Sequence, residues 1–222
     1  MTASLPVPDF VAYRAVRRGV RDLLGGRPGA WFHQVPACPE WTVTDLLGHL
    51  TAIAGRVLAR HGGGPVSPAG AVAVPELLDH WDDVGEELDR RLEDAGGHSG
   101  AVMVMDAYTH ELDLCAALGV APPEDHAAEA PSFEVLVSGL SGSITARRLP
   151  SLRLCTTSGA EWTAGDGRPA ATVTAPTHDL YRSLAGRRSL AQLAALAWST
   201  APEPWLPAFG WGPFAPPAQP GV

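Results

Sequence analysis

Between Ala101 and Gly119 the chain reads AVMVMDAYTHELDLCAALG, a helical pattern that is apolar around most of its circumference yet carries acids and a histidine. Val104, Tyr108, Leu114, Cys115 and Leu118 form one side, and Val102 and Met103 flank Asp106. A helix that is apolar nearly all round belongs in a core, and a buried acid or imidazole there needs a partner. Asp106 and His110 are four apart and so stand one above the other on the helix, with Asp113 three further on. A bound divalent metal would be one such partner: imidazole nitrogen and carboxylate oxygen are its common donors. The third ligand would have to come from another helix, and His49 is the candidate. Asp113 is placed to accept a hydrogen bond from His110, the interaction that orients metal-bound imidazoles. Glu111 projects toward the apolar side, so it needs its own partner or is an alternative ligand. Spacing alone favours a solvated polar face; the apolar circumference and the placing of Asp113 are what point to the metal.

The chain around this helix has 222 residues, enough for one large domain or two small ones. Its net charge of −8 argues against a nucleic-acid binder, which needs a basic face, and is compatible with small-molecule chemistry. All 16 basic residues are arginine, a bias that fits a GC-rich genome. Cys38, Cys115 and Cys155 are widely spaced and odd in number, which reads as a reducing, cytoplasmic setting and not a disulfide scaffold. No signal peptide and no apolar run of membrane-spanning length is expected.

Helical patterns are expected over Asp9 to Leu24, Thr42 to Arg60, Pro75 to Glu93, Gly100 to Leu118 and Pro131 to Arg147. Thr42 with Asp45 three later reads as a capping box at the start of the second helix, and Gly119 as the C-cap of the fourth. The linker RPGAWFHQVPACPE should cover the bundle or run over its surface. Residues 62–74 are a Gly/Pro/Ala loop expected to shape a pocket, together with the proline-rich tail. After Pro150 the grammar changes to strands at Leu152–Thr156, Glu161–Thr163 and Ala171–Ala175, then helices over 176–184 and Leu190–Trp198. The expected fold class is therefore α+β, with a helical bundle over residues 1–149 and a small α/β domain over 150–222. Small residues in SGLSGS, Ser138–Ser143, allow close packing against that helix. Trp205, Phe209, Trp211 and Phe214 in the tail should pack back onto their own domain or form a dimer contact, so the chain is expected as a monomer or homodimer. Thr177–Asp179 reads as a helix cap, and His33, His61, His80, His98 and His126 as surface residues.

The segment Cys38-Pro-Glu-Trp-Thr-Val-Thr-Asp-Leu-Leu-Gly-His-Leu resembles the N-terminal motif of the mycothiol-dependent maleylpyruvate isomerase family, part of the DinB-like superfamily. His110-Glu-Leu-Asp-Leu-Cys-Ala-Ala-Leu-Gly is similar to its second motif. Trp162, GDGRPAATVTAP and HDLYRSLAGRR resemble its small sterol-carrier-like domain. The resemblance implies a DinB-like antiparallel four-helix bundle with a divalent metal, zinc first among the candidates, held at the positions of His49, Asp106 and His110. The family commonly has Glu where this chain has Asp106, so a shorter acid must reach the same ion. Mycothiol is implied as thiol co-substrate, used to isomerise or conjugate a small electrophilic or unsaturated acid, making the chain an isomerase or thiol S-transferase. Arg187 and Arg188, in the segment most like the second domain, are the candidates for holding a substrate carboxylate; a helix C-terminus carrying favourable positive charge is the alternative. The competing readings of the same fold are a non-catalytic ligand-binding or regulatory protein and a thiol-independent DinB-like metal hydrolase. No nucleic acid or membrane partner is expected.

Overall fold

The computed structural model describes residues 6–64, 73–95 and 99–221. By internal contacts the chain divides into two compact units, Met1–Ser132 and Phe133–Val222. The division falls inside one helix, whereas the change from helices to strands falls near Pro150.

In the first unit, α1 (Asp9–Leu24), α2 (Val43–Arg60), α3 (Val74–Ala95) and α4 (Ala101–Leu118) form a bundle in which α1 and α2 each lie against both α3 and α4. The core follows from helical periodicity: Tyr13, Val16, Val20 and Leu24 on α1, Leu47, Leu50, Ala54 and Leu58 on α2, and Trp81, Leu88 and Leu92 on α3 are buried. Thr42 and Asp45 form the expected capping box, with both reciprocal bonds present. Gly119 ends α4 in the left-handed conformation, φ 62°, a position that favours glycine. The other end of α4 is tied by the buried Asp9, whose carboxylate accepts from the Gly100 N–H at 2.9 Å.

Two features depart from a simple apolar stripe. Val11 is exposed, while Arg17 is buried on the core side of α1 and paired with the equally buried Asp89 of α3. Arg17 also reaches Asp82, and the indole N–H of Trp81 donates to the Tyr13 hydroxyl at 2.7 Å. The proline-bearing linker is more ordered than a surface connection: a short 3-10 turn leads to a hairpin, β1 (Gln34–Val35) and β2 (Cys38–Thr42), which packs on α2 and α4.

The second unit starts within α5 (Glu129–Ala146), whose Phe133, Leu136, Val137, Leu140 and Ile144 form a buried face. Its sheet comprises β3 (Leu152–Thr156), β4 (Glu161–Ala164), β5 (Ala171–Ala175) and β6 (Ala197–Trp198), ordered β4-β3-β5-β6, with β3 and β5 parallel and the outer pairs antiparallel. Phe133 stacks on Trp162 at 4.7 Å and meets Tyr181 edge-on at 5.2 Å, joining α5 to the sheet and to α6 (Thr177–Leu184). The tail packs onto this unit: the Trp211 ring lies where a Cβ at Gly139 would be, so the small residues of Ser138–Ser143 serve close packing.

Two expectations are corrected here. The pattern Leu190–Trp198 is not one helix: α7 spans only Leu190–Ala194, and Ala197–Trp198 pairs with β5. Ser189 caps that short helix through a capping box with Gln192, while Leu190 stays half exposed, so too few residues are buried to extend it. Thr177 is not a cap either; Pro176 occupies the N-cap position with no side-chain bond. The expected loop at 62–74 falls in part, at 65–72, outside the described residues, as does His98. No helix among the described residues is long and apolar enough to cross a membrane.

His126, expected at the surface, is instead packed inside the first unit. Its ring stacks on Tyr108 at 4.8 Å and its Nε2 lies 3.4 Å from Oε2 of Glu111, itself only 2% exposed. The Ala128 N–H donates to His126 Nδ1 at 3.1 Å, which leaves the ring proton on Nε2. The Glu111 carboxylate fits against α1 because position 19 is glycine: a Cβ there would come within 1.9 Å of Oε1. Burial pushes the Glu111 carboxyl up to about 8 and the His126 imidazole down, so a neutral acid lies beside a neutral ring. Because the folded pKa lies above the unfolded one, the native state holds a proton that the unfolded chain has released. Stability therefore falls as pH rises between the ordinary carboxyl range and about 8, by at most about 1.4 kcal/mol per pH unit. Glu111→Gln, an isostere of the protonated acid, is expected to flatten this decline in the metal-free protein. Denaturation midpoints across that pH range check it; parallel profiles for the two proteins would contradict it.

Candidate metal centre

The site is built where the hairpin meets α2 and α4. The chain enters α2 under tight control: the Val43 N–H donates to His33 O, the Thr44 N–H to Trp31 O, and the capping box fixes the first turn. Two turns later, His49 faces α4. On α4, Asp106 and His110 share a face as the four-residue spacing requires.

The three side chains converge. His49 Nε2 lies 3.3 Å from Asp106 Oδ2, and His110 Nε2 lies 3.7 Å from Asp106 Oδ1. One donor atom from each of His49, Asp106 and His110 lies within 4.8 Å of the other two. The shorter acid thus still reaches both imidazoles. His110 is 6% exposed, whereas His49 and Asp106 are about a quarter exposed, so the group is anchored on its inner side and open on its outer one.

Asp113, fully buried, determines how His110 presents itself. Its Oδ2 lies 3.0 Å from His110 Nδ1. A carboxylate only accepts, so Nδ1 carries a proton, and in the neutral ring Nε2 is the nitrogen with the lone pair. That lone pair faces the Asp106 carboxylate, also an acceptor. Two lone-pair donors turned toward one another across a short gap, with the His49 ring beside them, fit a cation between them.

Trp41 was not picked out as a site residue by sequence reasoning, yet it packs on both imidazoles. Its ring centre is 4.9 Å from that of His49 and 6.0 Å from that of His110, and the two histidine rings meet edge-on at 5.0 Å. The available signal is its place just before the N-cap, where β2 turns into α2 and a side chain lies over the helix's first turns. Glu111 points away from this group, toward α1 and His126, and takes no part in it. Cys38, at the start of β2, approaches His110 and Asp113 from the hairpin.

Arg187 and Arg188 belong to the second unit. Arg188 Nη2 donates to Asp179 Oδ1 at 2.8 Å, and Arg187 Nη1 donates to Ala185 O at 2.9 Å. Nearby Arg182 is fully buried on α6, a position that the polar pattern of that helix did not single out.

Among solved structures, two of a mycothiol-dependent maleylpyruvate isomerase resemble the chain, one of them a histidine-to-alanine mutant. The mutant aligns with a TM-score of 0.58 at 14% identity and the other with 0.56 at 17%. Each alignment covers 89% of this chain and 94% of the other, a likeness of fold. A search of curated proteins finds no match. Residues 13–147, more than half of the chain, match the family model described as the mycothiol maleylpyruvate isomerase N-terminal domain, and the chain belongs to that family.

Proposed function

We propose that the chain is a divalent-metal enzyme that uses a low-molecular-weight thiol, mycothiol by family, to isomerise a small unsaturated acid or to transfer the thiol to a small electrophile. In this reading residues 1–149 carry the metal and residues 150–222 form the smaller domain. The observation that carries it is the convergence of His49, Asp106 and His110 on one point, with His110 Nε2 turned there by Asp113. When bound, the metal supplies Lewis acidity that favours the thiolate form of a thiol. The residues of the chain do the rest. His49, Asp106 and His110 would hold the ion, and the part-exposed side at His49 and Asp106 would admit the thiol. Asp113 accepts from Nδ1 of His110 and so turns Nε2 toward Asp106 and His49. Trp41 covers the two imidazoles, limits their rotation and keeps water from that side. We assign Arg187 and Arg188 to the carboxylate of an acidic substrate, a planar anion that guanidinium groups bind in pairs of hydrogen bonds. A cytoplasmic location suits an enzyme with three cysteines outside any disulfide and a thiol co-substrate.

The first test is metal content. The purified chain should bind close to one zinc ion, and His49→Ala should lose it while keeping its far-ultraviolet circular dichroism; a wild type that takes up no zinc contradicts the reading. Asp106→Glu restores the acid common in the family and should keep the ion, with affinity within about tenfold of wild type by competition with a chelator.

The second test separates a thiol user from a thiol-independent hydrolase. A thiol that binds only the folded metal form adds RT ln(1 + [L]/Kd), about 2.7 kcal/mol at a hundredfold excess over Kd. Zinc-loaded wild type should therefore melt several degrees higher with millimolar mycothiol, and His49→Ala should not respond. Equal melting temperatures with and without thiol in the loaded wild type would remove the thiol from the account.

A further inference from the structure

His110 belongs to two groups of potential ligands. One is the set with His49 and Asp106. The other is Cys38, His110 and Asp113, whose donor atoms also all lie within 4.8 Å of one another. The hairpin fixes the thiol: Cys38 follows the Pro36–Ala37 turn, pairs with Val35 across the strands and is half-buried. The two groups meet opposite edges of one ring, Nε2 toward Asp106 and Nδ1 toward Asp113.

We propose that Cys38, His110 and Asp113 form a second donor set, selective for a sulfur-preferring cation such as cadmium or copper(I), that competes with the first set for His110. Thiolate donors select such ions, whereas a set of two imidazoles and a carboxylate shows no such preference. Binding replaces the S–H bond of Cys38 with a sulfur–metal bond, and the proton leaves to solvent. It also takes up the Asp113 oxygen and the His110 Nδ1 that now bond to each other at 3.0 Å; the Nδ1 proton passes through solvent to Nε2, so Nδ1 gains the lone pair for the cation and Nε2 loses its own. That bond keeps Nε2 directed at Asp106, so filling the second set disables the first. The site is inhibitory: a soft cation there removes the imidazole that the other ion needs. The set shares His110 with the proposed catalytic centre but stands on its own donor atoms.

The experiment uses the full-length, metal-free protein titrated with cadmium and followed by the ultraviolet sulfur-to-cadmium charge-transfer band. Wild type and His49→Ala should both give the band, and Cys38→Ser should lose it. Cys155→Ser, which removes the other half-buried thiol, should keep it. Asp113→Asn should bind cadmium about tenfold or more weakly. Zinc uptake by Cys38→Ser would show that this variant folds. In wild type, cadmium should displace zinc already bound. No band in wild type, or an equal band in Cys38→Ser, overturns the proposal; so does loss of the band in His49→Ala, which would make Cys38 an added ligand of the first set. A chain that takes zinc through His49 but gives no band keeps the proposed function and loses this inference. A chain that gives the band but takes no zinc does the reverse.

Discussion

The contact between the Asp113 carboxylate and His110 Nδ1, both groups inside the bundle, is the interaction on which the rest of the site depends. It makes Nδ1 of His110 a donor, and so turns Nε2 toward Asp106 and His49. A carboxylate this deeply buried would be costly alone. Here it is compensated by the imidazole it orients. The ring in turn is enclosed by Trp41 and the His49 ring, so it has little freedom to turn away.

The bundle exists in a form that makes this possible because α4 is buried nearly all round. Its polar groups meet neighbours on the same helix or on the helices around it. Asp106 meets His49 of α2, Thr109 bonds back to Met105 O, and Glu111 sits in the space that Gly19 of α1 leaves, beside His126. A larger residue at position 19 would close that space. The two faces of α4 thus do opposite things with their acids. Asp106 is partly open to solvent and set among nitrogen donors; Glu111 is shut in and held neutral by burial. That difference separates the proposed ligand from a structural acid, although the two residues are five apart on one helix.

Much of this architecture could be read from local signals. The apolar periods, the Thr42–Asp45 box and Gly119 mark α2 and α4 closely, and the alternation in Leu152–Thr156 and Ala171–Ala175 marks the sheet. The four-residue spacing of Asp106 and His110 puts them on one face, but only the packing of α2 against α4 brings His49 to them. What stayed hidden was relational. Arg17 looks like a surface residue until Asp89, on another helix, is seen to neutralise it in the core. His126 looks like a loop residue until Tyr108 covers its ring. The stretch Leu190–Trp198 has helical composition, yet its last residues complete the edge of a sheet, and backbone pairing to β5 outweighs local propensity there. Prolines in the linker suggested irregular chain, although two of them leave room for a hairpin that carries Cys38 and Trp41 to the site.

The central claim is that His49, Asp106 and His110 hold one divalent ion, with Asp113 behind His110. A crystal of the zinc-loaded protein, measured on both sides of the zinc absorption edge, tests it most directly. The account predicts a single anomalous peak bonded to His49 Nε2, an Asp106 oxygen and His110 Nε2, with the Asp113 contact to Nδ1 intact. A peak elsewhere, or none at these three residues in protein shown to contain zinc, would contradict it.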